Sequence, residues 1–284
     1  MAALWAWETF GGLGARTRRG FGALACCSIK EDGNPKHVPL PTSANVPDVS
    51  AWLKEQLAAH VVAETLISDV PHLSPSVSST ICRIPARFFL NNKPIADVFR
   101  ELLRAGGVKQ PADRMINALV AWYYPIEQMK NFRQRRRRSE ANGSRFGRSY
   151  WPEPDEIRAR TKGFNGRHAR RLTTAPKFPR AVFGLPIVFR FKDTDIDPPD
   201  TTLQGAQHAR LASRLILRPL ACADERFASV ATLLDRPALP PGGLKLDGGP
   251  SGRPISIATL SPTEAAFVPL DGNPDVLQAF LATL

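Results

Sequence analysis

Five glycines and three arginines fall within the twelve residues Gly11-Gly12-Leu13-Gly14-Ala15-Arg16-Thr17-Arg18-Arg19-Gly20-Phe21-Gly22. The run lies between an apolar stretch, Leu4 to Phe10, and a segment that reads as a strand, Phe21 to Ile29. Glycine permits positive φ and a close backbone approach. Successive exposed N–H groups form a concave anion site, and arginine adds a planar fork that fits phosphate. The pattern points to a polyanion held by Gly12, Gly14, Arg16, Arg18, Arg19 and Gly20. The competing reading is a glycine-rich hairpin whose arginines only face water. No Gly-Lys-Ser/Thr follows, so this is not a Walker A loop. A strand rather than a helix is expected next, so it is a poor dinucleotide fingerprint as well.

Charge supports the polyanion reading. The 284 residues carry a formal net charge of +12 with an ordinary hydrophobic content of 43%. Between Arg133 and Arg180 there are fifteen Lys or Arg against four acidic residues, a balance of +11 that leaves the rest nearly neutral. Such asymmetry argues for a binding surface. Cys26, Cys27, Cys82 and Cys222 form no CxxC pair, and the five histidines show no HxH or HExxH spacing. Neither a metal site nor another cofactor is expected. No run of eighteen apolar residues and no signal peptide is apparent, so the expectation is a cytoplasmic protein with no membrane partner.

The pattern along the chain predicts an α+β fold. Helices are expected at Leu4–Phe10, Asp48–Leu66 with Asp48 as cap, Ile95–Arg104, Asp113–Arg133 with Pro125 inside, from Glu156, and at Pro274–Leu284. Strands are expected at Phe21–Ile29, Ile81–Leu90 with Pro85 as a bulge or edge signal, and Leu185–Lys192. Ala209–Leu220 and Phe227–Leu234 are expected to pair. Gln134 to Lys177 reads as one long basic loop, and long loops in compact domains are usually functional or disordered.

The glycine–arginine loop resembles one in the RAMP superfamily of CRISPR proteins. Three segments narrow the likeness: Arg148-Ser-Tyr-Trp-Pro-Glu-Pro-Asp-Glu-Ile-Arg158, Phe183-Gly-Leu-Pro-Ile-Val-Phe-Arg-Phe191 and Arg210-Leu-Ala-Ser-Arg-Leu-Ile-Leu-Arg-Pro-Leu220. In this order they are similar to the first-subunit family of the type III-B Cmr module, over Ala6 to about Leu234. The resemblance implies ferredoxin-like (RRM-like) RAMP domains and a place in an RNA-guided complex that holds crRNA and captures target RNA. It also implies a subunit without the cleavage activity, working beside other Cmr subunits. In that family the glycine loop comes late in the first domain. Residues 1–30 are therefore expected to be the remnant of a first domain, leaving Trp5, Trp7 and Phe10 without their original neighbours. Residues 31–80 would be a connector with a helix. Residues 81–284 would be a second RAMP domain with the basic insertion 134–180.

On this reading Arg133, Arg135, Arg136, Arg137, Arg138, Arg145 and Arg148 extend the phosphate track. Phe146, Tyr150, Trp151 and Phe164 are candidates to stack on bases, with packing under the Pro152/Pro154 turn as the alternative for Trp151. Arg210, Arg214 and Arg218 are spaced to share a strand face, open to RNA or to an acidic partner. An endoribonuclease, with His168 as its base, is the enzymatic alternative. A purely structural subunit or a non-functional fragment is the other.

Overall fold

The computed structural model describes residues 2–13, 16–24, 26, 29–31, 33–36, 39–61, 78–86, 88–138, 146–160, 177–191, 198–235, 242–248 and 260–284. In chain order these form α1 (Ala2–Phe10), β1 (Ile29–Glu31), β2 (Asn34–Lys36), α2 (Val46–His60), β3 (Ser78–Ile81), β4 (Phe89–Leu90) and β5 (Lys93–Pro94). Next come α3 (Ile95–Ala105), α4 (Asp113–Arg133), β6 (Arg136–Arg138), β7 (Phe146–Ser149) and α5 (Glu153–Arg160). The chain continues with β8 (Ile187–Phe189), β9 (Thr201–Gly205), β10 (Leu215–Ala221), β11 (Phe227–Leu233), β12 (Leu244–Asp247) and α6 (Val276–Leu281). Short 3-10 turns lie at Thr17–Arg19 and Pro179–Phe183. Helices and small antiparallel sheets make the fold α+β.

Two compact units divide the chain: residues 1–129 with 215–236 and 284, and residues 130–214 with 237–283. The first is built on an antiparallel sheet ordered β10-β11-β3. The paired strands expected around 209–234 form the β10/β11 hairpin, in register from Leu215 opposite Leu233 to Ala221 opposite Phe227. Helix α2 starts because Asn45 accepts from the Asp48 N–H at 2.8 Å and Pro47 needs no donor partner in the first turn. Asn45 rather than Asp48 is thus the cap. The buried positions Val49, Trp52, Leu53, Gln56 and Leu57 repeat at helical spacing. With Trp5 and Phe10 of α1 they cover Ile81, Ile216, Leu220 and Val230 of the sheet. Trp5 and Phe10 therefore have a core, and each such side chain gains about 1.5–3 kcal/mol from burial. Trp7 does not share it and is exposed.

The expected strands Phe21–Ile29 and Ile81–Leu90 are interrupted, and among the described residues Leu185–Lys192 and Ala209–Leu220 form strands only over Ile187–Phe189 and Leu215–Ala221. Phe21 and Gly22 form a turn, because Gly20 (φ +72°) and Gly22 (φ +65°) are left-handed and interrupt extension. Among the described residues extended pairing starts at β1, which turns back on β2. The Ile81–Leu90 segment divides into β3 and β4 around Pro85, which cannot donate to a ladder.

The second unit contains a sheet ordered β12-β9-β8, with Phe189, Leu203, Leu244 and Leu246 packed against Ile157 of α5 and Phe178. Among the described residues the basic segment is not all loop. Its described part forms the β6/β7 hairpin and α5, which begins at Glu153 rather than Glu156. Phe132, Trp151, Phe183 and Phe280 interlock edge to face, with ring centroids 5.5–6.0 Å apart. Beside them the fully buried Glu153 accepts the Arg180 backbone N–H at 2.8 Å and pairs with its guanidinium at 3.2 Å.

Breaking a buried pair by removing one partner costs about 3–5 kcal/mol, whereas an exposed pair contributes at most about 1 kcal/mol. Glu153→Ala should lower the urea midpoint strongly. Glu101→Ala, which breaks the exposed 3.0 Å pair with Lys93, should hardly move it. Denaturation followed by circular dichroism checks the contrast, and equal small shifts would remove Glu153 as a keystone.

Candidate nucleic-acid interface

The glycine–arginine loop belongs to the first unit, and its hydrogen bonds define its form. Helix α1 closes when the Gly11 N–H donates to Trp7 O at 2.8 Å. The Leu13 N–H then donates to Gly22 O at 2.9 Å, which ties the two ends of the loop together. Between them, Thr17–Arg19 make a single 3-10 turn that ends in left-handed Gly20, whose N–H donates to Thr17 O at 2.9 Å. A Cβ at Gly20 would lie 2.7 Å from Trp122 Cδ1 and 3.0 Å from Leu217 O. The close approach that glycine permits here is therefore to α4 and β10, not to a ligand. At Gly22 a Cβ would strike the Leu13 carbonyl, so the loop could not close.

Arg218 of β10 fastens this loop to the sheet. It is 3% exposed. Its guanidinium donates to Gly11 O at 2.9 Å and to Leu24 O at 3.1 Å, the entry and exit of the loop, and to Pro219 O at 3.3 Å. Burial pushes its pKa down to about 10, with Glu8 acting in the opposite sense. It remains a cation at neutral pH. Glu8 in turn accepts the Cys26 N–H at 2.6 Å. Two further bonds hold the middle of the loop: Arg19 donates to Leu215 O at 3.2 Å, and Trp122 Nε1 donates to Arg19 O at 2.8 Å.

The three loop arginines therefore differ. Arg16 is exposed, Arg18 is half-buried with its pKa lowered by burial, and Arg19 is half-buried and bonded to the sheet. Gly14 lies outside the described residues. The alternate arginines of the later segment do not form an open face. Arg218 is interior, Arg214 pairs with Asp275 at 3.0 Å, and Arg210 is exposed. The physical reason at Arg218 is its neighbours at i±2, Ile216 and Leu220, which belong to the core face of the strand.

In the second unit Arg133 is half-buried at the end of α4, with its guanidinium over the Phe183 ring at 5.5 Å. Its pKa is lowered by burial and by Arg180, against the opposing pull of Glu153. Arg135 is exposed. Arg136, Arg137 and Arg138 lie in β6 and Arg148 lies in β7, described as backbone. Arg145, Phe164 and His168 lie outside the described residues. Trp151 is 1% exposed, donates Nε1–H to Phe132 O at 3.2 Å, and meets Phe132 and Phe267 edge to face. A base needs an open ring face, so Trp151 is a core residue rather than a stacking platform. Among the described residues no group of three or more His, Cys, Asp or Glu could hold a metal. No described helix is long and apolar enough to cross a membrane.

No protein-family model, curated protein or solved structure matches the chain.

Sequence reasoning did not single out Arg218 as a clamp, nor the exposed aromatics of the loop region, Trp7 and Phe21. An arginine two residues from Ile on one side and Leu on the other in an apolar strand was the available signal for the first. Arg218→Met keeps an unbranched stem but removes the guanidinium and strips three carbonyls of their donor, and a hydrogen bond to a charged group contributes about 1.5–3 kcal/mol. Trypsin should cut at Arg16, Arg18 or Arg19 faster in the variant than in the wild type. Equal rates would mean that the clamp does not hold the loop.

Proposed function

We propose that this chain is a non-catalytic, RNA-binding subunit of a type III-B CRISPR effector complex. In this reading it is a cytoplasmic RAMP protein of ferredoxin-like (RRM-like) ancestry. It works beside other Cmr-module subunits to hold crRNA and capture complementary target RNA. The motif likeness of the segments 148–158, 183–191 and 210–220 supports the assignment. RRM-like folds are built from an antiparallel sheet backed by helices, and the first unit has these elements.

The observation that carries the RNA-binding part is the loop itself. Arg16 is exposed on a closed turn whose two ends are clamped to the sheet by Arg218. A cation on a fixed turn meets a phosphate with less ordering cost than one on a free tail. Within the first thirty residues the one carboxylate is Glu8, against Arg16, Arg18, Arg19 and Lys30. Glu8 accepts the Cys26 N–H, and four basic residues against this one carboxylate leave a balance of +3. The remaining field favours a polyanion.

Phosphate contacts make affinity fall with salt, by a slope of about 0.7 per contact for a single strand. Single-stranded RNA should bind with a steep salt dependence, and Arg16→Ala should weaken binding severalfold and make the slope shallower by about that amount. Fluorescence anisotropy at a series of salt concentrations measures both. Wild-type affinity in the variant would remove the loop from the interface, and no RNA binding by the wild type would overturn the proposal.

A further inference from the structure

We infer that Trp7 and Phe21 form a stacking platform for the bases of a single-stranded RNA whose phosphates meet Arg16. The inference rests on the RNA-binding reading and adds to it the form of RNA that the loop accepts. Trp7 and Phe21 are each 44% exposed, although indole and phenyl rings are ordinarily buried when a core is available. The remaining tryptophans show that cores are available. Trp5, Trp52 and Trp151 are buried, and Trp122 is half-buried against Arg19 and Phe21.

The loop's backbone hydrogen bonds place Trp7 and Phe21 at the entry and the exit of one turn. Gly11 N–H to Trp7 O sets the Trp7 backbone at the entry of the loop, and Leu13 N–H to Gly22 O brings the exit back to Leu13. Phe21 immediately precedes that exit residue. Its ring is braced by Trp122, edge to face with centroids 5.0 Å apart, so it is held in position while part of it stays open. Leu13, 61% exposed, lies on the same closure and adds apolar surface for a ribose or base edge.

Charge decides which occupant this surface favours. An apolar patch by itself suits a protein partner as well as a nucleic acid. Here Trp7 and Phe21 bracket in sequence the turn that exposes Arg16, and Arg16, Arg18, Arg19 and Lys30 outnumber Glu8 among the first thirty residues. Aromatic faces interleaved with cations are how proteins hold splayed single strands without reading their sequence. A duplex hides its base faces and offers its phosphates, 2′-hydroxyls and base edges, none of which stacks on a ring.

The test compares Trp7→Leu and Phe21→Leu with Trp7→Phe and Arg16→Ala in the full chain. The probes are a short oligouridine and an RNA duplex of the same length. The leucine variants should each lose about tenfold in affinity for the single strand, while duplex affinity and salt slope stay unchanged. Trp7→Phe should retain affinity, since a ring is still present. RNA-dependent quenching of tryptophan fluorescence should fall in that variant, because the exposed indole is gone. Unchanged melting temperatures establish that the variants fold. Wild-type oligouridine affinity in both leucine variants, with weakened binding in Arg16→Ala, would overturn the stacking platform and leave the RNA reading standing. Loss of both probes in Arg16→Ala alone would have the same meaning. Failure of the wild type to bind either probe would remove the RNA reading itself. Leucine variants that keep their RNA affinity but lose association with a protein subunit would assign the patch to protein docking and contradict the inference.

Discussion

One buried guanidinium organises the part of this protein on which its proposed function depends. Arg218 lies on the core face of β10 and donates to carbonyls at both ends of the glycine–arginine loop. A buried charge is tolerated only when it is paired or fully hydrogen-bonded. Here backbone carbonyls satisfy it, with Glu8 contributing favourably from α1. The arrangement works in both directions: the loop carbonyls solvate the arginine, and the arginine fixes the loop. Gly20 and Gly22 complete it, because a side chain at either position would displace Trp122 or prevent closure.

This changes the role of the glycines from the one the sequence suggests. Glycine-rich runs near arginines are read as cradles into which a phosphate descends. In this loop the spaces over Gly20 and Gly22 are filled by the protein's own sheet, helix and turn. The glycines shape and dock the turn. Charge is then presented outward by Arg16, and aromatic surface by Trp7 and Phe21. Affinity for RNA, on this account, comes from side chains on a fixed turn rather than from bare backbone.

The legible parts of the fold were those where local and tertiary signals agree. Helix α4 is found at the expected residues, Asp113–Arg133, and α3 near its periodic apolar positions, with Gly106 and Gly107 ending it, whereas α2 stops at His60, short of the expected Leu66, because Val61 is extended. The β10/β11 hairpin was visible as two apolar runs around a polar turn. The β6/β7 hairpin was not, because Arg136–Arg138 offer no alternation of apolar and polar residues from which to read a strand. Phe21–Ile29 reads as a strand by composition, but left-handed Gly20 and Gly22 put Phe21 and Gly22 in a turn. At the candidate site the loop was found, yet the functions of its residues were sorted only by tertiary contact. Even spacing puts Arg218 on one open strand face with Arg210 and Arg214, whereas its 3% exposure makes it an interior residue. Trp151 was read as a platform or a core residue, and its burial among Phe132 and Phe267 decides for the core.

The central claim is that single-stranded RNA contacts the clamped loop. Ultraviolet crosslinking of the full chain to a short oligouridine, with the attached peptides mapped by mass spectrometry, tests it most directly. Crosslinks on the segment from Trp7 to Phe21, lost at high salt, are the predicted result. Crosslinks confined to the basic segment 134–180, or none at all, would contradict it.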